Sequence, residues 1–104
     1  MIVTIFRSRL ALDHLAEYEV VAARIDATAA RQPGFISCVT YGAPDGERVT
    51  VAEWATWEAH EAWRRHPEHR EAQRLGRERF YLAYRIQVCE QRRSLGAESA
   101  ERDG

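Results

Sequence analysis

The amino-acid sequence predicts an α+β fold of the ferredoxin-like type, with the element order βαββαβ and a four-stranded antiparallel sheet. Two observations predict it. Segments of alternating apolar residues stand near each end of the chain, and two more stand as a pair in its middle. A long stretch of helical periodicity follows the first segment, and a shorter one follows the central pair. In this arrangement both helices cover one face of the sheet.

The first strand and helix are predicted from residues 2–31. Residues 2–10 alternate and are rich in β-forming side chains, which indicates a strand. Asp13 is the expected N-cap of a helix that runs to about Arg31. Apolar residues recur there at helical spacing, and they are Leu15, Tyr18, Ala22, Ile25 and Ala29. This stripe is suited to lie on a sheet, and Gln32-Pro33-Gly34 ends the helix.

Two strands are predicted next, near 34–42 and 48–55, joined by a turn at Pro44-Asp45-Gly46. Thr56 is expected to cap a helix of about ten residues.

Pro67 is expected to stop or kink this helix and to begin a second segment, with His66 held extended before it. A last strand is predicted over about 80–91. Its apolar row on one face is Leu82, Tyr84, Ile86 and Val88.

The composition indicates a single domain over residues 1–93, followed by a polar tail, 94–104, that is predicted to be disordered. The apolar runs are too short for a membrane span, and no signal-peptide pattern follows Met1, so a cytoplasmic location is expected. A net charge of −1 gives no field that would attract nucleic acid or an anionic membrane as a partner.

The residue types limit the chemistry. All fifteen basic residues are arginine, which excludes Schiff-base and lysine general-base mechanisms. Cys38 and Cys89 lie in predicted strands and are expected to be small buried residues. His66 and His69 have a weak metal-ligand spacing, and the prediction is that the protein uses neither a metal nor a cofactor.

The sheet face turned away from the helices is expected to carry Val, Ile, Tyr and Trp side chains. Such a face would be bare in a monomer. A symmetric homodimer that closes two sheets face to face is therefore predicted.

The helical region after the third strand carries most of the candidate site residues. Trp63 is interpreted either as a pocket wall or as a core residue, whereas Trp54, at the end of a strand, favours the core. On the segment after Pro67, His69 points towards the apolar side with Gln73 one turn later. His69 is either an acid or base near neutral pH or a structural histidine.

Other polar residues have alternative interpretations. His66 is expected to cap the second helical segment, whereas His60 and His14 are expected at the surface. Arg7 shares an alternating face with Val3 and Ile5, where it would hold an anionic oxygen or pair with Glu53. The remaining helical arginines, namely Arg64, Arg65, Arg70, Arg74 and Arg77, are expected to form a solvated face.

Several motifs resemble the antibiotic-biosynthesis monooxygenase family of dimeric α+β barrels. They are W-x-T-x-E-A-x-x-A-W from Trp54 to Trp63 and H-P-E-H-R-x-A-Q-x-x-G-R from His66 to Arg77. The opening strand, the Gln32-Pro33-Gly34-Phe35 turn and the closing YRIQVCEQR segment agree with the family. The resemblance covers about residues 1–93.

The resemblance implies a cofactor-independent monooxygenase that oxidises a small aromatic or polyketide-type phenol or quinol with O₂. His69 would be the base and Arg7 the stabiliser of the anion. Trp63 and Tyr84 would be apolar walls, and His66, Gln73 and Trp54 further substrate contacts. Alternatives within the same fold are a non-oxidative isomerase or cyclase and a non-catalytic ligand-binding dimer.

The sequence also departs from two branches of the family. The haem-degrading branch has an iron-ligating histidine where this chain has Ala72 and Gln73, and an asparagine where it has Arg7. The polyketide-oxidising branch has an asparagine one turn before Trp63, where this chain has Ala59. These differences argue against haem degradation and against a direct transfer of the polyketide mechanism.

Overall fold

A computed structural model describes residues 1–97 of the chain. The strands and helices in order are β1 (Ile2–Leu10), a 3₁₀-helix (Leu12–His14), α1 (Leu15–Ala30), β2 (Phe35–Gly42), β3 (Arg48–Trp54), α2 (Trp57–Arg64), α3 (Pro67–Leu75), a π-helical turn (Gly76–Phe80) and β4 (Tyr81–Glu90). Among these helices none is long and apolar enough to cross a membrane. The predicted tail falls mostly on residues 98–104, which lie outside the described residues, and 94–97 form neither helix nor strand.

The four strands form one antiparallel sheet in the order β2-β3-β1-β4, which confirms the ferredoxin-like α+β prediction. Side chains alternate between the two faces of a strand. On β1 the residues Ile2, Thr4 and Ser8 are buried on the helix side. Val3, Ile5 and Arg7 therefore point to the opposite side, which we call the open face.

The helix boundaries follow local signals with one exception. Thr56 caps α2, because its Oγ1 accepts a hydrogen bond of 3.1 Å from the backbone N–H of Ala59. Pro67 is the first residue of α3, as predicted. The prediction that Asp13 caps α1 is wrong: Asp13 lies in the preceding 3₁₀-helix, and α1 begins at Leu15 without a side-chain cap.

The core lies between the helices and one end of the sheet. Ile2, Ala29, Trp54 and Trp63 form its buried cluster, with Ile25, Phe35 and Ala59 packed against it. Phe80 is buried separately under Tyr18, whose ring it meets edge-on at 5.6 Å. The apolar stripe of α1 faces this interior, as its spacing predicted.

The open face carries an apolar patch, but the composition of this patch differs from the expectation. Strand register places on it the aliphatic and aromatic residues Val3, Ile5, Val39, Tyr41, Val49 and Val51. Trp54 does not belong to this face, because it is 2% exposed against the helices. Strand β4 is exposed on both sides, and Cys89 is exposed with it, contrary to the prediction that both cysteines are buried.

Three members of the apolar row of β4, namely Tyr84, Ile86 and Val88, lie on the helix side rather than on the open face. Ile86 is opposite Phe6, and Tyr84 is opposite Ser8. Leu82, Tyr84, Ile86 and Val88 are nevertheless 43–75% exposed, since no helix packs closely over this edge of the sheet. The fold thus leaves two apolar surfaces uncovered in one protomer.

Candidate functional site

A break between α2 and α3 positions the candidate site. His66 has extended backbone angles, φ −59° and ψ 132°, as the residue before a proline prefers. Its Nδ1 accepts a hydrogen bond of 3.2 Å from the backbone N–H of Glu68, so the imidazole caps α3. This change of direction brings His69, in the first turn of α3, back onto Trp63 in the last turn of α2.

Trp63 is the centre of an aromatic stack. It is 7% exposed, and the ring of His69 lies nearly parallel to it at a centroid distance of 4.5 Å. Trp54 stacks on it from the sheet at 6.1 Å, and His66 lies tilted at 5.3 Å. Three of the predicted site residues, His69, His66 and Trp54, therefore surround Trp63, and Trp54 supports it on the side of the sheet.

The His69 imidazole is held in a defined orientation. Its Nδ1 lies 3.1 Å from the carbonyl oxygen of Trp63. Because a carbonyl oxygen only accepts, Nδ1 carries the proton in this bond, and Nε2 keeps a free lone pair. Burial lowers the pKa of His69, and the hydrogen bond to Trp63 opposes that shift. The ring is therefore neutral at neutral pH and able to accept a proton at Nε2.

His60 is a residue of this region that the sequence interpretation placed wrongly. It is 6% exposed rather than at the surface, and its ring lies 5.3 Å from that of Trp57. Its Nδ1 makes no hydrogen bond among the described residues, with Glu61 Oε1 3.5 Å away. Burial lowers the pKa of His60. The available signal was its position three residues before Trp63, on the same buried side of α2.

Arg7 and Tyr84 lie away from this stack. The Arg7 guanidinium, on the open face, donates to both carboxylate oxygens of Glu47 at 2.9 and 3.1 Å. The alternative partner, Glu53, instead accepts a hydrogen bond of 2.7 Å from Ser37. Arg7 and His69 thus lie on opposite sides of the sheet within one protomer.

Tyr84 lies on the helix side but at the other end of the strands. Its ring packs on Phe6 at 6.0 Å. Tyr84 is opposite Ser8, whereas Trp54 is opposite Ile2, six positions along β1. At about 3.3 Å per residue this separates them by about 20 Å. The structure therefore does not bring Tyr84 to the stack.

Gln73, half-buried one turn after His69, lines a cavity. This cavity of about 450 Å³ is lined by Arg64, Arg65, Arg70, Gln73 and Arg77. A second cavity, of about 420 Å³, lies on the other flank of α3 against α1. Its lining residues are Val21, Arg24, Ile25, Pro67, Glu68, Glu71, Ala72 and Leu75. Ala72 and Gln73 stand where the haem-degrading branch of the resembled family has its iron-ligating histidine. These two residues thus line two different cavities.

Comparison with known proteins agrees with this architecture. Residues 1–75 match the model of the antibiotic biosynthesis monooxygenase family. The uncharacterized protein YqjZ of Bacillus subtilis is 36% identical over 72 residues, which are 69% of this chain. The chain spans 63% of the length of that relative.

Two solved structures show the same fold. SnoaB, a cofactor-independent oxygenase from Streptomyces nogalater, superposes with a TM-score of 0.75 at 24% identity, over 92% of this chain and 97% of its own. Rv0793 from Mycobacterium tuberculosis gives a TM-score of 0.80 at 16% identity, over 91% and 98%.

Proposed function

The chain belongs to the antibiotic biosynthesis monooxygenase family, and we propose that it oxidises a small aromatic or polyketide-type phenol or quinol with O₂, without a cofactor. The observation that carries this proposal is the neutral His69 imidazole, fixed on the Trp63 carbonyl through Nδ1, with an Nε2 that forms no hydrogen bond among residues 1–97. The likeness to SnoaB, itself a cofactor-independent oxygenase, supports the same reaction class.

The proposed reaction begins with proton transfer from the substrate hydroxyl to Nε2 of His69. The phenolate that results is electron-rich enough to pass one electron to O₂, and the radical pair then combines to form a carbon–oxygen bond. An anthrone reacts as its hydroxyl tautomer, in which the carbon para to the hydroxyl carries one hydrogen, and one atom of O₂ becomes the new carbonyl oxygen on that carbon. The other atom of O₂ leaves as water, together with that hydrogen and the proton that His69 accepted.

The aromatic stack supplies the surroundings for this step. Trp63 is the proposed apolar wall beside the base, and Trp54, almost fully enclosed, fixes Trp63 in place. His66 and Gln73 flank His69 on either side along the chain, and their contact with substrate stays a prediction. The roles predicted for Arg7 and Tyr84 also stay predictions. We give neither a part in the step, because each lies away from His69 within one protomer.

The test is mass spectrometry of the products from a panel of anthrones and hydroquinones, in air and under nitrogen. We expect a product that gains one oxygen atom in air only, and its loss in a His69→Ala variant. His14→Ala, which removes a partly exposed histidine outside the stack, is the matched control. Unchanged turnover by His69→Ala would refute the assignment of the base. Product in both atmospheres would indicate an isomerase or cyclase instead.

We also propose that the protein is a homodimer closed through the open face. Only five apolar side chains are buried among the described residues, a small core for a domain of this length. Pairing two open faces would bury the valine-rich surface around Val51, which is opposite Ile5 and Val39. The proposed location is the cytoplasm, which suits its two free cysteines.

Sedimentation velocity at micromolar concentration tests the dimer. We expect wild type to sediment as a dimer and Val51→Glu to shift towards monomer, because a carboxylate in the paired face would be desolvated. Val20→Glu places the same charge on exposed α1 and should leave the dimer intact. A monomeric wild type would contradict the proposal without reference to either variant.

A further inference from the structure

The cavity beside Gln73 is unusual in its lining. Four of its five lining residues are arginines, namely Arg64, Arg65, Arg70 and Arg77. Its volume of about 450 Å³ is within the range of small-molecule sites. We call it the arginine cavity.

Two helices place these side chains around one space. Arg64 and Arg65 stand at the end of α2, immediately before the break at His66. Arg70, Gln73 and Arg77 follow at the spacing i, i+3 and i+7, so they lie along one flank of α3 and the turn after it. The other flank faces α1. Guanidinium groups from two directions therefore converge on the same volume.

The ion pairs of the two helices leave positive charge in this cavity. Glu61 accepts two hydrogen bonds from Arg64, at 3.1 and 3.0 Å, and lies 3.5 Å from Arg65. Arg70 and Arg77 form no ion pair with any residue in 1–97. The cavity thus brings four guanidinium groups together with one neighbouring carboxylate.

The acidic residues of α3 do not cancel this charge. Glu71 and Glu78 are both held by Arg74, which is not part of the cavity lining. Glu71 lines the cavity on the α1 side instead. Charges on α3 are therefore separated by flank, with a neutralised network on one side and unpaired arginines on the other.

We propose that the arginine cavity binds a small oxyanion with more than one negative charge, either a phosphate ester or a polycarboxylate. Guanidinium groups recognise such oxygens through paired N–H donors, and the Gln73 amide adds a neutral donor. The whole chain carries a net charge of −1, so the attraction comes from the four guanidinium groups of the arginine cavity and not from the overall charge. That favours a ligand small enough to enter it over an extended polyanion. The inference does not depend on the proposed oxidation.

The test is isothermal titration calorimetry with inorganic pyrophosphate and, separately, citrate. We expect wild type to bind at least one of the two, and Arg70→Ala and Arg77→Ala each to weaken that binding roughly tenfold, the scale of a lost charge-assisted hydrogen bond. Glu61→Gln frees Arg64 and Arg65 and should tighten binding several-fold. Arg24→Ala is the matched control, since it removes an exposed arginine from the opposite cavity and should leave binding unchanged.

The two probes distinguish the possible sources of the oxyanion. Tighter binding of pyrophosphate assigns the cavity to phosphate esters, and tighter binding of citrate assigns it to polycarboxylates. Equal weakening by Arg24→Ala would show a general charge effect and overturn the proposal. Absence of binding by both probes would also overturn it. If neither small anion binds, and wild type but not Arg77→Ala co-sediments with phosphatidylserine vesicles, the proposal is also overturned. The arginine cavity would then be a membrane contact.

Discussion

The contact between Gly34 and α2 gives a sharp prediction about how Trp63 is positioned. Gly34 has φ +81°, and a Cβ atom built there would lie 2.5 Å from the Cβ of Ala59. Its carbonyl oxygen also accepts a hydrogen bond of 2.8 Å from the backbone N–H of Ala55. The turn before β2 therefore packs directly on the first turn of α2, the helix that carries Trp63.

Gly34→Ala should combine two separate costs. A non-glycine residue in the left-handed region costs about 1–2 kcal/mol. Forcing a methyl group into a filled space costs about 1–3 kcal/mol more, whereas the reduced entropy of the unfolded chain returns about 0.4–1 kcal/mol. We expect the free energy of unfolding to fall by roughly 1–4.5 kcal/mol, from the sum of these terms.

Urea unfolding followed by circular dichroism, at one fixed protein concentration, measures this loss. Gly46→Ala is the matched control, because Gly46 has φ +93° but only Arg9 Nη1, at 3.9 Å, near its added Cβ. It should show the backbone cost alone. The double variant Gly34→Ala, Ala59→Gly removes the methyl group that the new Cβ would meet. Its loss of stability should therefore be smaller than the sum of the two single losses by about 1–3 kcal/mol, the steric cost. Equal losses in Gly34→Ala and Gly46→Ala, with no coupling to position 59, would refute the reasoning.

Three further predictions follow from single groups. Burial lowers the pKa of His69 in the folded state, so as the pH falls this imidazole takes up a proton in the unfolded chain before it does so in the folded one. The contribution of His69 to the free energy of unfolding should therefore be full above about pH 6.5 and fall as the pH drops below that value. In urea unfolding at several pH values, the free energy of unfolding of His69→Gln should depend less on pH than that of wild type. Burial and then the charge of Asp26 raise the pKa of Cys38 to about 11, so iodoacetamide at pH 8, followed by peptide mass spectrometry, should modify the exposed Cys89 first. Thr56→Ala removes the N-cap hydrogen bond of α2 and should lower the free energy of unfolding by about 1 kcal/mol in the same urea assay, whereas Thr56→Ser should retain most of it.

Much of the fold could be predicted because its signals are local. The break between α2 and α3 depends on a proline and the residue before it, and the start of α2 depends on a threonine followed by helical periodicity. The four strands were predicted to within about one residue of their observed ends. The failure at Asp13 has a local cause too, since a 3₁₀-helix takes up that residue before α1 begins.

The candidate site was predicted only in part, because only some of its signals are local in the sequence. Trp63, His66 and His69 are close in sequence, so helical spacing and one proline were enough to group them. His60 was missed because its burial depends on the sheet beneath α2 and not on its own neighbours. The arginine cavity was also missed, since the sequence shows interleaved charges but not which of them pair.

The sequence by itself determined the order of elements, the family resemblance and the presence of a tryptophan and a histidine on either side of a helix break. Only the tertiary structure decided that His69 is oriented by the Trp63 carbonyl, that Arg7 lies across the sheet from it, and that Tyr84 is separated from Trp54 by about 20 Å along the strands. Alternation in a strand defines two faces, but it does not say which face the helices cover. Which face the helices cover, and therefore which residues each side chain contacts, is decided by contacts between residues far apart in the chain.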